Sequence, residues 1–117
     1  MTRSNLYIKL SNGKTIICVA DSSSAPEQGY IVEHLLLPLL SLDDCEKEMN
    51  LLSEHCTMNE RRANATYRYT IDLTTKEVRF FDEHYDYTKD TFRIGKDITK
   101  RYNHYVKTIN QQSTTNN

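Results

Sequence analysis

The sequence predicts a single α+β domain built on a four-stranded, mostly antiparallel sheet. Its elements run in the order ββααββα, with the helices mainly on one face. Three observations carry this expectation. Two segments, 6–20 and 66–81, alternate apolar and polar residues around turn signals, which is the mark of a hairpin. Between them, apolar residues recur at helical spacing. The length of 117 residues, 38% hydrophobic and 26% charged, suits one core, because two domains would each fall near the lower size limit. The domain is expected to span 1–109, and the polar run 110–117 reads as a disordered tail with nothing to bury.

The first strand is Leu6-Tyr7-Ile8-Lys9-Leu10, followed by Asn12-Gly13, a dipeptide suited to a two-residue turn with positive φ at both positions. Such a loop sets Leu10 against Thr15, Ile8 against Ile17 and Leu6 against Val19 on the core face. It leaves Tyr7, Lys9, Ile16 and Cys18 on the other. The return strand, 15–20, is then apolar on both sides and belongs inside the sheet.

Ser24-Ala25-Pro26-Glu27 reads as a capping box opening a helix through Tyr30 to Leu36, which Pro38 ends or kinks. Ser41-Leu42-Asp43-Asp44 signals a second helix, from Leu42 to about Cys56, with Leu42, Cys45, Met49, Leu52 and Cys56 on one stripe. Residues 66–73 and 78–81 form the second hairpin around Thr74-Thr75-Lys76. Residues 82–90 read as a charged connector, and 91–94 fit either a short strand or a loop. Asp97 is placed to cap a last helix, with Ile98, Tyr102, Tyr105 and Ile109 on one side and Lys96, Lys100, His104 and Lys107 on the other.

The formal net charge of -1 hides segregation: 1–20 sum to +3, 21–60 to -8 and 61–117 to +4. The near-zero total removes the simplest case for a nucleic-acid partner, a strongly basic domain. The longest apolar run, 35–40, contains Pro38 and is far shorter than the ~20 residues of a membrane span, so no membrane partner is expected. Met1 leads directly into a strand pattern, without a signal-peptide core. Cys18, Cys45 and Cys56 are odd in number and widely spaced, as for reduced thiols in a cytoplasm.

Chemistry-bearing motifs are sparse. Glycines at 13, 29 and 95 cannot write a dinucleotide or phosphate-binding loop. The cysteines lie in apolar patterns, and acids flank Cys45, which opposes thiolate formation. No zinc-type spacing occurs. Asp82, His84 and Asp86 would share one face of an extended chain and offer a divalent-metal site for an enzyme, set against the ordinary charge of a solvated connector. Arg68 and Arg79, interleaved with Tyr67, Tyr69, Phe80 and Phe81, together with Lys96, Lys100, His104 and Lys107, carry an alternative reading as a single-stranded nucleic-acid binder. Strand alternation, however, sends the aromatic residues and the arginines to opposite faces.

The leading expectation is a non-catalytic intracellular interaction module without a cofactor, binding a protein partner or a second copy of itself. Its contact residues would be Tyr7, Lys9 and Ile16 on the sheet and Asp43, Asp44, Glu46 and Glu48 on the acidic helix. Strand 6–10, if outermost, would be an edge guarded by Lys9 alone.

Overall fold

The computed structural model describes residues 2–21, 24 and 30–100. The opening hairpin pairs β1 (Ser4–Lys9) with β2 (Thr15–Ala20), but one residue away from the expected register: Ile8 faces Ile16 and Leu6 faces Cys18. The turn explains the slip. Leu10 N–H donates to Lys14 O and Gly13 N–H donates to Leu10 O, both at 2.8 Å, with Gly13 at φ 87°. The loop is therefore Ser11-Asn12-Gly13, three residues closed by a glycine in the left-handed region rather than two. Because side chains alternate, the slip turns all of β2 over. Ile16, Cys18 and Ala20 join Leu6 and Ile8 in the core, while Ile17 and Val19 pass to the opposite face.

The middle of the chain covers the core face. A π-helical turn, Val32–Leu36, runs into the short helix α1 (Leu37–Leu40), with Pro38 in its first turn. Proline has no N–H to continue a regular ladder, so the wide turn falls just ahead of it. Leu35, Leu36 and Leu39 are buried from this segment. Helix α2 (Cys45–His55) starts at Asp44, whose carboxylate accepts the Lys47 N–H at 3.1 Å, so Asp44 rather than Ser41 caps it. Leu52 is its fully buried apolar contact. Glu48 is fully buried beside it and accepts from both the N–H (3.0 Å) and the hydroxyl of Ser11, tying α2 to the hairpin turn.

Four more strands complete the sheet: β3 (Thr57–Met58), β4 (Tyr67–Asp72), β5 (Glu77–Asp86) and β6 (Thr91–Asp97). Their order is β3-β2-β1-β4-β5-β6. The β1–β4 pairing is parallel, with Leu6 beside Tyr69 and Ile8 beside Ile71, and the other pairings are antiparallel. On the core face, Tyr69 and Phe80 meet edge to face, with ring centroids 4.9 Å apart.

This architecture corrects the four-stranded, mostly antiparallel ββααββα expectation: among the described residues the sheet is six-stranded and mixed, and the helices α1 and α2 that pack on it are short. The connector 82–86 continues β5, and 91–94, which fit either a short strand or a loop, belong to the strand β6. Asp97 ends that strand, and its carboxylate accepts the Thr99 N–H at 2.9 Å where helix begins at Thr99–Lys100, as the N-cap reading expects. Strand β3 occupies the residues just past the end of α2. Strand β1 is central, not an edge.

The edges that do exist are blunted. β3 is two residues long. β6 carries Arg93, Lys96 and Asp97, and a register shift near Gly95 breaks its ladder with β5. A Cβ at Gly95 would collide with the His84 ring, so glycine is what allows the two strands to approach there. The capping box at 24–27 lies mostly outside the described residues, as do the last helix beyond Lys100 and the tail 110–117.

Candidate functional site

The path from β3 to β4 shapes the second face of the sheet. β2 and β1 lie between these strands, three strand spacings or roughly 14 Å at ~4.8 Å each. Residues 59–66 cross that span through a turn at Ala63-Asn64, where the Ala65 N–H donates to Arg62 O at 3.2 Å, and lie against the face away from the helices. Asn59, in the left-handed region at φ 62°, turns the chain, and its N–H donates to Ile17 O at 2.8 Å. Asn5 then clamps the crossover: its Oδ1 accepts the Arg62 N–H at 2.8 Å, and its Nδ2 donates to Arg62 O at 3.1 Å.

Beneath the crossover sits a buried polar cluster. Arg68 donates twice to Glu83 Oε1, from Nη2 at 2.8 Å and from Nε at 3.0 Å, and Asn5 Nδ2 donates to Glu83 Oε2 at 2.9 Å. Their side chains are 10% and 0% exposed respectively. The Arg68 guanidinium also lies 4.3 Å from the centre of the Tyr7 ring. Arg68 is thus committed inside the protein rather than offered to a phosphate.

At the rim of the crossover, Asp21 accepts from Arg62 Nε at 3.1 Å and from the Thr57 hydroxyl at 3.1 Å, with Arg3 3.5 Å away. Burial works to raise its pKa, but the Arg62 and Thr57 hydrogen bonds and the two positive charges together hold it below the usual carboxylate range. A carboxyl whose pKa is depressed on folding stabilises the fold above its unfolded value near ~3.9 and loses that contribution as pH falls through the folded value. Asp21→Asn is therefore expected to lower the melting temperature at neutral pH. It should also flatten the fall in stability below about pH 4, measured as melting temperature against pH. An unchanged acid limb would show that Asp21 carries none of it.

Where the crossover does not reach, the second face stays open. A groove of about 840 Å³ runs across it, with Tyr7, Lys9, Thr15, Ile17, Thr70 and Asp72 as floor, Glu77 and Arg79 at one end and Asn59, Glu60 and Arg61 as a wall. Tyr7 and Ile17 give the floor a half-buried apolar centre. The Tyr7 hydroxyl oxygen is buried and has no hydrogen-bond partner among the described residues. The ionic rim holds three bases (Lys9, Arg61, Arg79) and three acids (Glu60, Asp72, Glu77). Arg79 is paired with Glu77 at 2.5 Å and lies 3.9 Å from Asp97, and Arg61 stacks 4.2 Å from the Phe92 ring centre.

The residues expected to carry function separate accordingly. Tyr7 and Lys9 line the groove. The Ile16 side chain turns into the core, and Glu48 is buried against Ser11, so neither presents a contact surface. Asp43, Asp44 and Glu46 are exposed on the opposite side of the molecule, with Asp43 paired to Lys76. Arg79, Lys96 and Lys100 are exposed, whereas His104 and Lys107 lie outside the described residues. Asp82, His84 and Asp86 fall on β5, and no group of three metal-ligating side chains gathers among the described residues. No helix among them is long and apolar enough to cross a membrane. The groove wall, Asn59 to Arg61, could not be placed from the sequence, because Asn59-Glu60-Arg61-Arg62 carries no periodicity that would set it on a sheet.

Set against protein-family models, curated proteins and solved structures, the chain matches none of them.

Proposed function

We propose that the protein is a non-catalytic, cytoplasmic interaction module that docks a partner protein on the open half of its second sheet face. The groove itself carries this reading. This part of the second face keeps an apolar centre of Tyr7 and Ile17 inside a ring of both charge signs. Such a mixed rim complements a polypeptide surface better than a polyphosphate, which calls for an excess of bases. The free state of Cys18, Cys45 and Cys56 fits a reducing compartment.

The test places a photo-reactive residue at Thr15 in the groove or at Ser53 on α2. Cross-linking to a protein partner is expected from position 15 and not from position 53. With that partner purified, Ile17→Arg, which fills the groove, is expected to weaken binding about tenfold or more, or about 1.4 kcal/mol. Unchanged affinity in a folded Ile17→Arg variant would refute the reading. Salt-dependent oligonucleotide binding lost on Arg79→Ala would instead favour a nucleic-acid role, and sedimentation of the purified chain tests whether the partner is a second copy.

A further inference from the structure

The end of α2 and the middle of β2 bring two thiols together. Cys18 is fully buried on the core face of β2. Cys56 follows α2 with extended backbone, φ -134° and ψ 156°, and is half-buried against the same core. The β2–β3 register sets Cys18 beside Met58 and Val19 beside Thr57. Two residues before Met58, Cys56 therefore shares its face, on the diagonal from Cys18, where side chains of adjacent strands reach one another. Both belong to one packed cluster, with Cys56 lying against the core that holds Cys18. Cys45 stands apart, at the other end of the eleven-residue helix, which is about 16 Å long at 1.5 Å per residue.

We propose that Cys18 and Cys56 form a reversible disulfide, with a peroxide as the oxidant. Cys56, the partly exposed partner, meets the oxidant first. Its thiolate attacks the peroxide O–O bond, forming a sulfenic acid and releasing water once the leaving hydroxide is protonated. The Cys18 sulfur then attacks the Cys56 sulfur: the S–S bond forms, the S–O bond breaks, and the hydroxide leaves with the Cys18 thiol proton as a second water. Two thiols are oxidised and one hydrogen peroxide is reduced. Contact with Cys56, reinforced by burial, pushes the Cys18 thiol well above the ordinary cysteine range. Cys18 consequently stays protonated until its neighbour is activated, which gives the reaction its order. The bond would fasten the short strand β3 and the end of α2 to the sheet, and a small thiol would reverse it by exchange.

The test uses the full chain carrying Cys45→Ser, treated with hydrogen peroxide and then alkylated after denaturation. The expected result is a monomer lighter by two hydrogen masses, with both remaining cysteines closed to alkylation and a peptide linking Cys18 to Cys56. Dithiothreitol should restore both thiols. In Cys56→Ser, Cys18 should remain open to alkylation after the same treatment. Should that variant fail to fold, the linked peptide from the Cys45→Ser chain decides the matter. Oxygen adducts on Cys56 with Cys18 still free, disulfides between molecules only, or two unreacted thiols would each overturn the proposal.

Discussion

Replacing Arg68 with Met is expected to destabilise the protein by about 3–5 kcal/mol, because it strands the Glu83 carboxylate in a dry site without its counter-charge. Glu83 has no exposed side-chain surface, and three of its hydrogen bonds come from the Arg68 guanidinium. The Asn5 amide that remains is a neutral donor and cannot balance a full charge. The double variant Arg68→Met/Glu83→Leu should recover most of the loss, since an apolar pair of similar volume removes both desolvation penalties. Urea unfolding of the four proteins in this cycle measures the coupling. A single-variant loss below about 1 kcal/mol, the range of exposed pairs, would show that water reaches Glu83.

Truncating Phe80 to Ala is expected to cost a further set of contacts of similar size, about 3–5 kcal/mol, through lost transfer energy and the cavity left behind. Phe80 is 1% exposed and packs edge to face on Tyr69, where β4 and β5 meet above the core. For a chain of this length the loss corresponds to a fall in melting temperature on the order of 10 °C or more. Ile94→Ala, on a side chain 55% exposed, is the matched control and should change stability by less than about 0.5 kcal/mol. Comparable losses in the two variants would mean that β6 is covered by something outside the described residues.

Local patterns made part of this fold legible. The Tyr67, Tyr69 and Ile71 alternation, the stripe of Cys45, Met49 and Leu52, and the kink before Pro38 are short-range signals, and each appears where it was expected. What the pattern could not decide was set by single residues or by distance along the chain. Whether Asn12-Gly13 closes a two- or a three-residue loop turns on Asn12, which does not take the positive φ that a two-residue turn needs at both positions, and that choice exchanged the Ile16 and Ile17 faces of β2. Gly95 hid β6 by breaking the Phe92–Ile94 alternation at a point where the backbone needs room. Parallel pairing of β1 with β4 leaves no local mark at all.

The candidate site shows the same division. Tyr7 and Lys9 were readable as an outward pair, because strand alternation places them there whatever the register of β2. The groove wall came from a loop without periodicity, fixed in place by Asn5. Glu48 was misread as surface because it is an acid, although its spacing from Cys45 and Leu52 already put it on the apolar side of α2.

The central position of β1 also bears on how the chain reaches its native state. The strand finds its first partner at once, through a hairpin, but its second lies more than half the chain away, with Ser4 beside Tyr67. Pairings of such high contact order form late. A chain emerging from the ribosome would therefore hold the free flank of Ser4–Lys9 open until β4 arrives. In that interval, the single charge of Lys9 is what stands between a folding intermediate and strand-to-strand aggregation.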